Sequence, residues 1–283
     1  MKVMALLGAA AAVALSAGLA APAQAKDWTK VVIATECAFA PYNLVRPDGK
    51  LDGFEIELGN DLCARLKLQC EFIVSDWNSI IPGLQAGKFD AIMSGMSITP
   101  KRLEVIAFSL PYTQAPSTFA VMKDGPMANL PDTGKRVSLD DKAATEAVVK
   151  DLAPALKGHI VGVQVSTIQA DVLNTYFKGL VDIRTYGKTE EHDLDLQARR
   201  VDLVMASTNY FVSTLSKPGG DQMVLAGPLF VGGPLGQGSA VGLRKGDTDL
   251  KALFDKAIRA AEADGSMKAL AIKWFKSDVT PQQ

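Results

Sequence analysis

The chain has 283 residues, 48% of them hydrophobic, with 30 basic residues against 31 acidic ones and a formal net charge of −1. That length allows one large domain or two lobes of ordinary size. The charge balance argues against nucleic acid or an anionic membrane as partner, since both select an excess of Lys and Arg. At the N-terminus, Lys2 precedes an alanine-rich apolar run from Leu6 to Leu19 and a small-x-small site at Ala23-Gln24-Ala25. This predicts a signal peptide over 1–25, cleaved after Ala25, and an exported periplasmic protein. The run is too short to span a bilayer, and no cysteine follows it closely enough for lipid anchoring.

Val31 to Thr35 is a β-branched strand ending at Glu36, followed by a loop, Cys37 to Tyr42, that carries Phe39. Leu58, Leu62 and Leu66 recur at i, i+4, i+8 and predict a packed helix over 54–68. Phe72-Ile73-Val74 is the next strand. Asp76 is placed to cap a helix from Trp77 to Ala86, with Ile80, Ile81 and Leu84 inward and Gly87 as its stop. Cys63 on a helix and Cys70 at a strand start predict a disulfide in an oxidising compartment, which leaves Cys37 as a small buried side chain.

Asp90 to Met93 reads as a buried strand, followed by the turn Ser94-Gly95-Met96-Ser97 and a helix start at Thr99-Pro100. Arg102 falls in that first turn, a planar fork beside free backbone donors, which suits a carboxylate. An ordinary strand–loop–helix corner with a solvated arginine fits this stretch equally well.

A second α/β unit follows. Phe119 to Met122 is a strand, and residues 125–137 are turn-rich. Ser138 is placed to open a helix to Leu156, and Ile160 to Val163 is a strand running into Gln164-Val165-Ser166-Thr167. After a helix to about Phe177 come the strand Val181 to Arg184, a helix over 190–199 and the strand Asp202 to Met205. That strand ends at Ala206-Ser207-Thr208-Asn209. Leu84-Gln85-Ala86 through Asp90-Ala91-Ile92-Met93 resembles Leu196-Gln197-Ala198 through Asp202-Leu203-Val204-Met205. The copies lie roughly a hundred residues apart, too far for a solenoid repeat. They predict two similar lobes whose strands present loops at their carboxyl ends, the ligand-binding edge of open parallel sheets. Beyond Pro228 a Gly-rich run, the strand Ser239 to Leu243 and two helices cannot form a lobe alone. The tail is therefore expected to return to the first lobe, with crossings near 113–118 and 226–230.

Catalytic signals are few. His159 and His192 lie away from strand ends, and no Gly-x-Ser-x-Gly elbow, Walker loop or His-Glu-x-x-His is present. Glu36 has no evident acid partner for general acid–base work. A binding reading uses the same residues more fully. Arg102 would hold a carboxylate, Phe39 and Trp77 would sandwich a stem, and Glu36 would pair a cation. Each aromatic alone is more often a core residue than a site residue.

The chain resembles the periplasmic solute-binding proteins of polar amino-acid ABC importers. The residues that carry this are Ala40-Pro41-Tyr42, Gly53-Phe54-Glu55-Ile56-Glu57-Leu58, Asp90 to Ser94, Ser97-Ile98-Thr99-Pro100-Lys101-Arg102 and Val241 to Lys245. The spacing of Cys63 and Cys70 matches the basic-amino-acid branch. Gly227-Pro228-Leu229-Phe230, Asp255 to Ile258 and Lys273-Trp274-Phe275 look most like the octopine and nopaline (opine) binders.

The resemblance implies a two-lobed α/β fold of type II, with a mostly parallel sheet in each lobe and two crossover strands as hinge. Lobe 1 would comprise 26–115, lobe 2 116–228, and 229–283 would return to lobe 1. It implies that Arg102 clamps the α-carboxylate with help from Ser97 and the backbone near Ser166 and Thr167. Ser94 and Gly95 would accept from the amine through their carbonyls, Met96 would join the ligand-binding set, Phe39 and Trp77 would flank the stem, and Glu36 would take a distal cation. Ser207 departs from the aspartate that amino-acid binders carry there, which an opine, with its second carboxylate, would need less. Val165 or Ser166 replaces a loop glycine of the relatives. The implied protein is a non-enzymatic monomer without cofactor that binds an opine or basic amino acid and delivers it to an inner-membrane permease. Its rivals are an enzyme on the same scaffold, resembling cyclohexadienyl dehydratases, and a chemosensory receptor.

Overall fold

The computed structural model describes residues 28–281; the expected signal peptide and its cleavage site lie outside them. The described residues build two central sheets and one small one. Strand β1 (Lys30–Thr35) leads into a three-stranded antiparallel sheet of β2 (Ala38–Phe39), β3 (Asn43–Val45) and β4 (Leu51–Asp52), within and just beyond the stretch expected to be a plain loop. Helix α1 (Phe54–Leu66), β5 (Gln69–Val74), α2 (Trp77–Gln85), β6 (Ala91–Ile92), the single turn α3 (Pro100–Leu103) and β7 (Ala107–Thr113) follow. The chain then passes to β8 (Ser117–Met122), β9 (Arg136–Ser138), α4 (Lys142–Leu156), β10 (Ile160–Gln164) and α5 (Ile168–Val172). Next come β11 (Asp182–Tyr186), α6 (Thr189–Gln197), β12 (Leu203–Ser207), α7 (Thr208–Thr214) and β13 (Met223–Val231). Strand β14 (Ser239–Leu243), α8 (Thr248–Ala263) and α9 (Ser266–Phe275) close the chain.

The first sheet has the order β5-β1-β6-β14-β7, and the second has the order β11-β10-β12-β8-β13-β9. In each, three neighbouring strands run parallel, the strand that enters from the other lobe (β14 or β8) runs antiparallel to them, and the strand that leaves (β7 or β13) pairs antiparallel with the entering one. Both sheets are therefore mixed, because a chain that crosses from one lobe to the other enters the new sheet from the opposite side. The chain changes sheet between Thr113 and Ser117 and again between Val231 and Ser239. Helices α8 and α9 pack on α1 in the first lobe's core through Leu250, Phe254, Ile258 and Phe275.

The sequence echo is a structural one. Strands β6 and β12 hold the third place in their sheets. The aspartate before each closes the same pair of bonds to the neighbouring strand. Asp90 Oδ2 accepts from Val32 N at 3.1 Å, and Asp202 Oδ2 accepts from Ile160 N at 2.8 Å. Leu84 and Leu196 are both fully buried.

Two expected caps differ. Asp76 sits at the N-cap of α2 but makes no side-chain cap bond. Ser138 ends β9, and it is Asp141 that caps α4, accepting from Ala144 N at 3.0 Å. The backbone of Ser138 is held by the parallel β9–β13 ladder, and tertiary pairing outranks local helix preference. The Cys63–Cys70 disulfide is present, and Cys37 is free and buried; burial pushes its thiol up to about 11, consistent with a packing role.

Candidate functional site

The cleft between the two sheets is lined by the carboxyl ends of β1, β6, β10 and β12 and by both crossing segments. Among the described lining residues, Arg102 is the only cationic side chain and Glu36 the only carboxylate. Thr99 caps α3, its Oγ1 accepting from Arg102 N, which places the guanidinium at the cleft floor. Arg102 is only 9% exposed. Its Nη1 donates to Ser97 O at 2.9 Å and its Nη2 to Ser166 O at 3.4 Å, and its face lies 5.3 Å from the Trp77 ring. No carboxylate forms an ion pair with it among the described residues, and burial pulls it down to about 10. A buried guanidinium held by carbonyls but unpaired is a strong attractor for an anion.

Glu36 follows β1 and is 7% exposed, so it is not a surface acid. Its N donates to Ser94 Oγ at 2.9 Å, and its Oε1 accepts from Gln164 Nε2 of the other lobe at 2.7 Å. Burial raises its carboxyl to about 7, against the opposing pull of the Gln164 bond and nearby Lys188. Gly95, with φ of 61°, lies against the Phe39 ring, which stands 3.0 Å from where a Cβ would be. Its N donates to Glu55 Oε1 at 2.7 Å. Glu55 is wholly buried and also accepts from Asn43 Nδ2 at 2.6 Å and from the Tyr112 hydroxyl. It forms the rigid underside of the Ser94–Gly95 turn, and burial raises its carboxyl.

Most expected site residues gather here: Glu36, Phe39, Trp77, Ser94, Gly95, Ser97, Arg102, Thr167 and Ser207 all line the cleft. Met96 does not. It is fully buried in the core of the first lobe with Ile80, Leu84 and Ile98, because its side chain points from the turn away from the cleft. Ser166 is absent from the lining and contributes through its carbonyl to Arg102. Its φ of 60° identifies it, rather than Val165, as the residue in the conformation that favours glycine. Phe39 runs near-parallel to Tyr42 and Tyr210 at 5.3 and 5.1 Å, while Trp77 donates to Val165 O at 3.1 Å. Ser207 caps α7, its Oγ accepting from Tyr210 N at 3.2 Å. Residues that sequence reasoning did not single out are Tyr42, Gln114, Gln164, Gln169 and Ser239. The only available signal was a polar residue closing an apolar strand, as Gln164 does after Ile160-Val161-Gly162-Val163.

Two similar α/β lobes joined by two crossings, with an unpaired arginine and an acid in the cleft between them, define the class of two-lobed solute-binding proteins. Residues 31–277 match the bacterial extracellular solute-binding proteins, family 3, and the chain belongs to that family. The octopine-binding periplasmic protein of Rhizobium meliloti is 44% identical, covering 96% of this chain and 97% of its own length. The L-arginine-binding protein of Pseudomonas aeruginosa is 34% identical, over 99% and 98%. In structure, a periplasmic His/Glu/Gln/Arg/opine family-binding protein from Silicibacter pomeroyi, in complex with lysine, superposes with a TM-score of 0.70 at 32% identity. It covers 89% of this chain and 100% of its own.

Proposed function

We propose that this chain is the periplasmic ligand receptor of an ABC importer, binding an octopine-type opine or a basic amino acid and delivering it to an inner-membrane permease. The observation that carries the reading is the buried guanidinium of Arg102, without an ion-pair partner among the described residues, facing a cleft whose only carboxylate among the described lining residues is Glu36. A ligand with a carboxylate at one end and a cation at the other neutralises both. Arg102 takes the α-carboxylate through its free N–H groups, and Glu36 takes the distal cation. Phe39 and Trp77 lie along the stem between them.

Closure of the lobes completes the site. The pairs Trp77–Val165, Glu36–Gln164, Arg102–Ser166 and Tyr42–Asn209 all cross the cleft. A ligand that touches both lobes adds its binding energy to this closed form. Ser207 supplies a hydroxyl and no charge to the second lobe, which favours a ligand whose amine already carries its own acid, as an opine's does. The names of the relatives support binding rather than catalysis. We take the lobes to divide at the two crossings, between Thr113 and Ser117 and between Val231 and Ser239, the second lying beyond the expected 226–230 because β13 stays paired with β9 through Val231.

The test is a thermal-shift and calorimetric screen of octopine, nopaline, arginine, ornithine, lysine and histidine. Tight binding of one or more without turnover is expected. Turnover of prephenate or arogenate, or no binding of any of the six, would overturn the reading.

A further inference from the structure

We infer that Gln164 is the second lobe's specificity-determining residue, presenting its amide oxygen beside Glu36 so that the distal pocket selects a planar guanidinium-type group over a simple ammonium. The inference rests on the binding reading above. Gln164 is the last residue of β10, 3% exposed, at the strand edge that lines the cleft. Its Nε2 donates to Glu36 Oε1 at 2.7 Å and to Gly187 O at 3.0 Å. A backbone carbonyl can only accept, so the NH2 end must face Gly187, and this orients the amide from its partners.

Both N–H groups are thereby used. Among the described residues Oε1 has no hydrogen-bond partner, and it is not among the polar atoms sealed from solvent. Gln164 lines the cleft. Glu36 keeps its second oxygen free in the same way. A ligand's distal group therefore meets two acceptors, one on each lobe.

The chemistry of the two candidate groups differs there. An ammonium is a compact point charge whose three donors radiate from one atom, whereas a guanidinium spreads five N–H donors over a rigid plane and can reach both separated acceptors at once. Bridging Glu36 and Gln164 would also tie the two lobes together. The backbone of Gln164 is already fixed for this role, since its carbonyl accepts from Thr167 Oγ1 at 2.7 Å.

The experiment compares Kd values for arginine, octopine, lysine and ornithine, measured by calorimetry, in the wild type, Gln164→Leu and Gln164→Met. The Leu and Met variants keep side-chain volume while removing the amide. The wild type should prefer the guanidino ligands. Each variant should lose about tenfold or more for arginine and octopine but less than about threefold for lysine and ornithine, collapsing the ratio. Unfolding curves of the unliganded variants report folding, and if one is unstable the other carries the comparison. An unchanged ratio, whether through equal losses or no loss, overturns the inference while leaving the binding reading intact. If the wild type binds none of the four, the binding reading falls and this inference with it.

Discussion

The two walls of the cleft are built from the same strand–turn–helix unit, yet they do different chemistry. The turn after β6 leads to Arg102, and β1 ends at Glu36, so the first lobe holds both of the cleft's charges. Strand β12 ends at Ser207 and β10 at Gln164, so the second lobe answers with neutral amides and hydroxyls. The structural frame is shared down to the paired bonds of Asp90 and Asp202. A duplicated scaffold thus separates its tasks. On the proposed reading, one wall would capture a charged ligand by electrostatics, and the other would close over it with neutral hydrogen-bonding groups, which cost less to desolvate on closure than charges do.

The largest expected effect breaks the charged wall. Arg102→Ala should weaken binding of any α-carboxylate ligand by at least about a hundredfold, since it removes a buried, charge-assisted contact. Near-native affinity by calorimetry would refute the clamp. Glu36→Gln should cost cationic ligands about ten- to a hundredfold and spare uncharged ones.

The same residue makes a pH prediction. Because burial raises Glu36 to about 7, its neutral form predominates below that pH in the closed protein, and there a cationic ligand must displace the proton. Affinity for such ligands should rise as pH climbs from 5 to 7, by up to about tenfold per unit, and level off above. Glu36→Gln should flatten the profile. The closed, unliganded form carries the opposite dependence. The contribution of Glu36 to its stability is full below the unfolded carboxylate range and declines as pH rises through about 7, by about 3 kcal/mol in all. The difference in unfolding free energy between wild type and Glu36→Gln should track that fall.

Ser207→Asp would give the neutral wall a charge. It should shift preference toward simple amino acids and away from opines by about tenfold, because a carboxylate there pairs a free ammonium and repels the opine's second acid. Competition between arginine and octopine reads this directly. The smallest effect is expected from Trp77→Phe, which deletes only the bond to Val165 O while keeping an aromatic face toward Arg102. A loss of about fivefold, similar for every ligand, would mark it as a closing contact.

Much of the fold was legible from local pattern. The Leu58–Leu62 stripe, the β-branched strand before Glu36 and the repeated Asp-apolar strand all appear where periodicity places them, since side-chain spacing alone decides which face is buried. The misses share a cause. Ser138 reads as a helix opener until β13 is seen to pair with its strand. Met96 reads as a cleft residue until the turn's direction sends it into the core.

By itself, the amino-acid sequence determined the two-unit α/β architecture and the disulfide pair and offered Arg102 as a candidate carboxylate ligand, because helix periodicity, turn chemistry and the choice of a guanidinium are written residue by residue. Only the tertiary structure decided that Glu36 is buried, that Glu55 braces Gly95 from beneath, that Ser166 stands in the glycine's place and that Gln164 meets Glu36 across 128 positions of chain. Those facts depend on how the closed lobes bring distant strand ends together and exclude water between them, which no local spacing encodes.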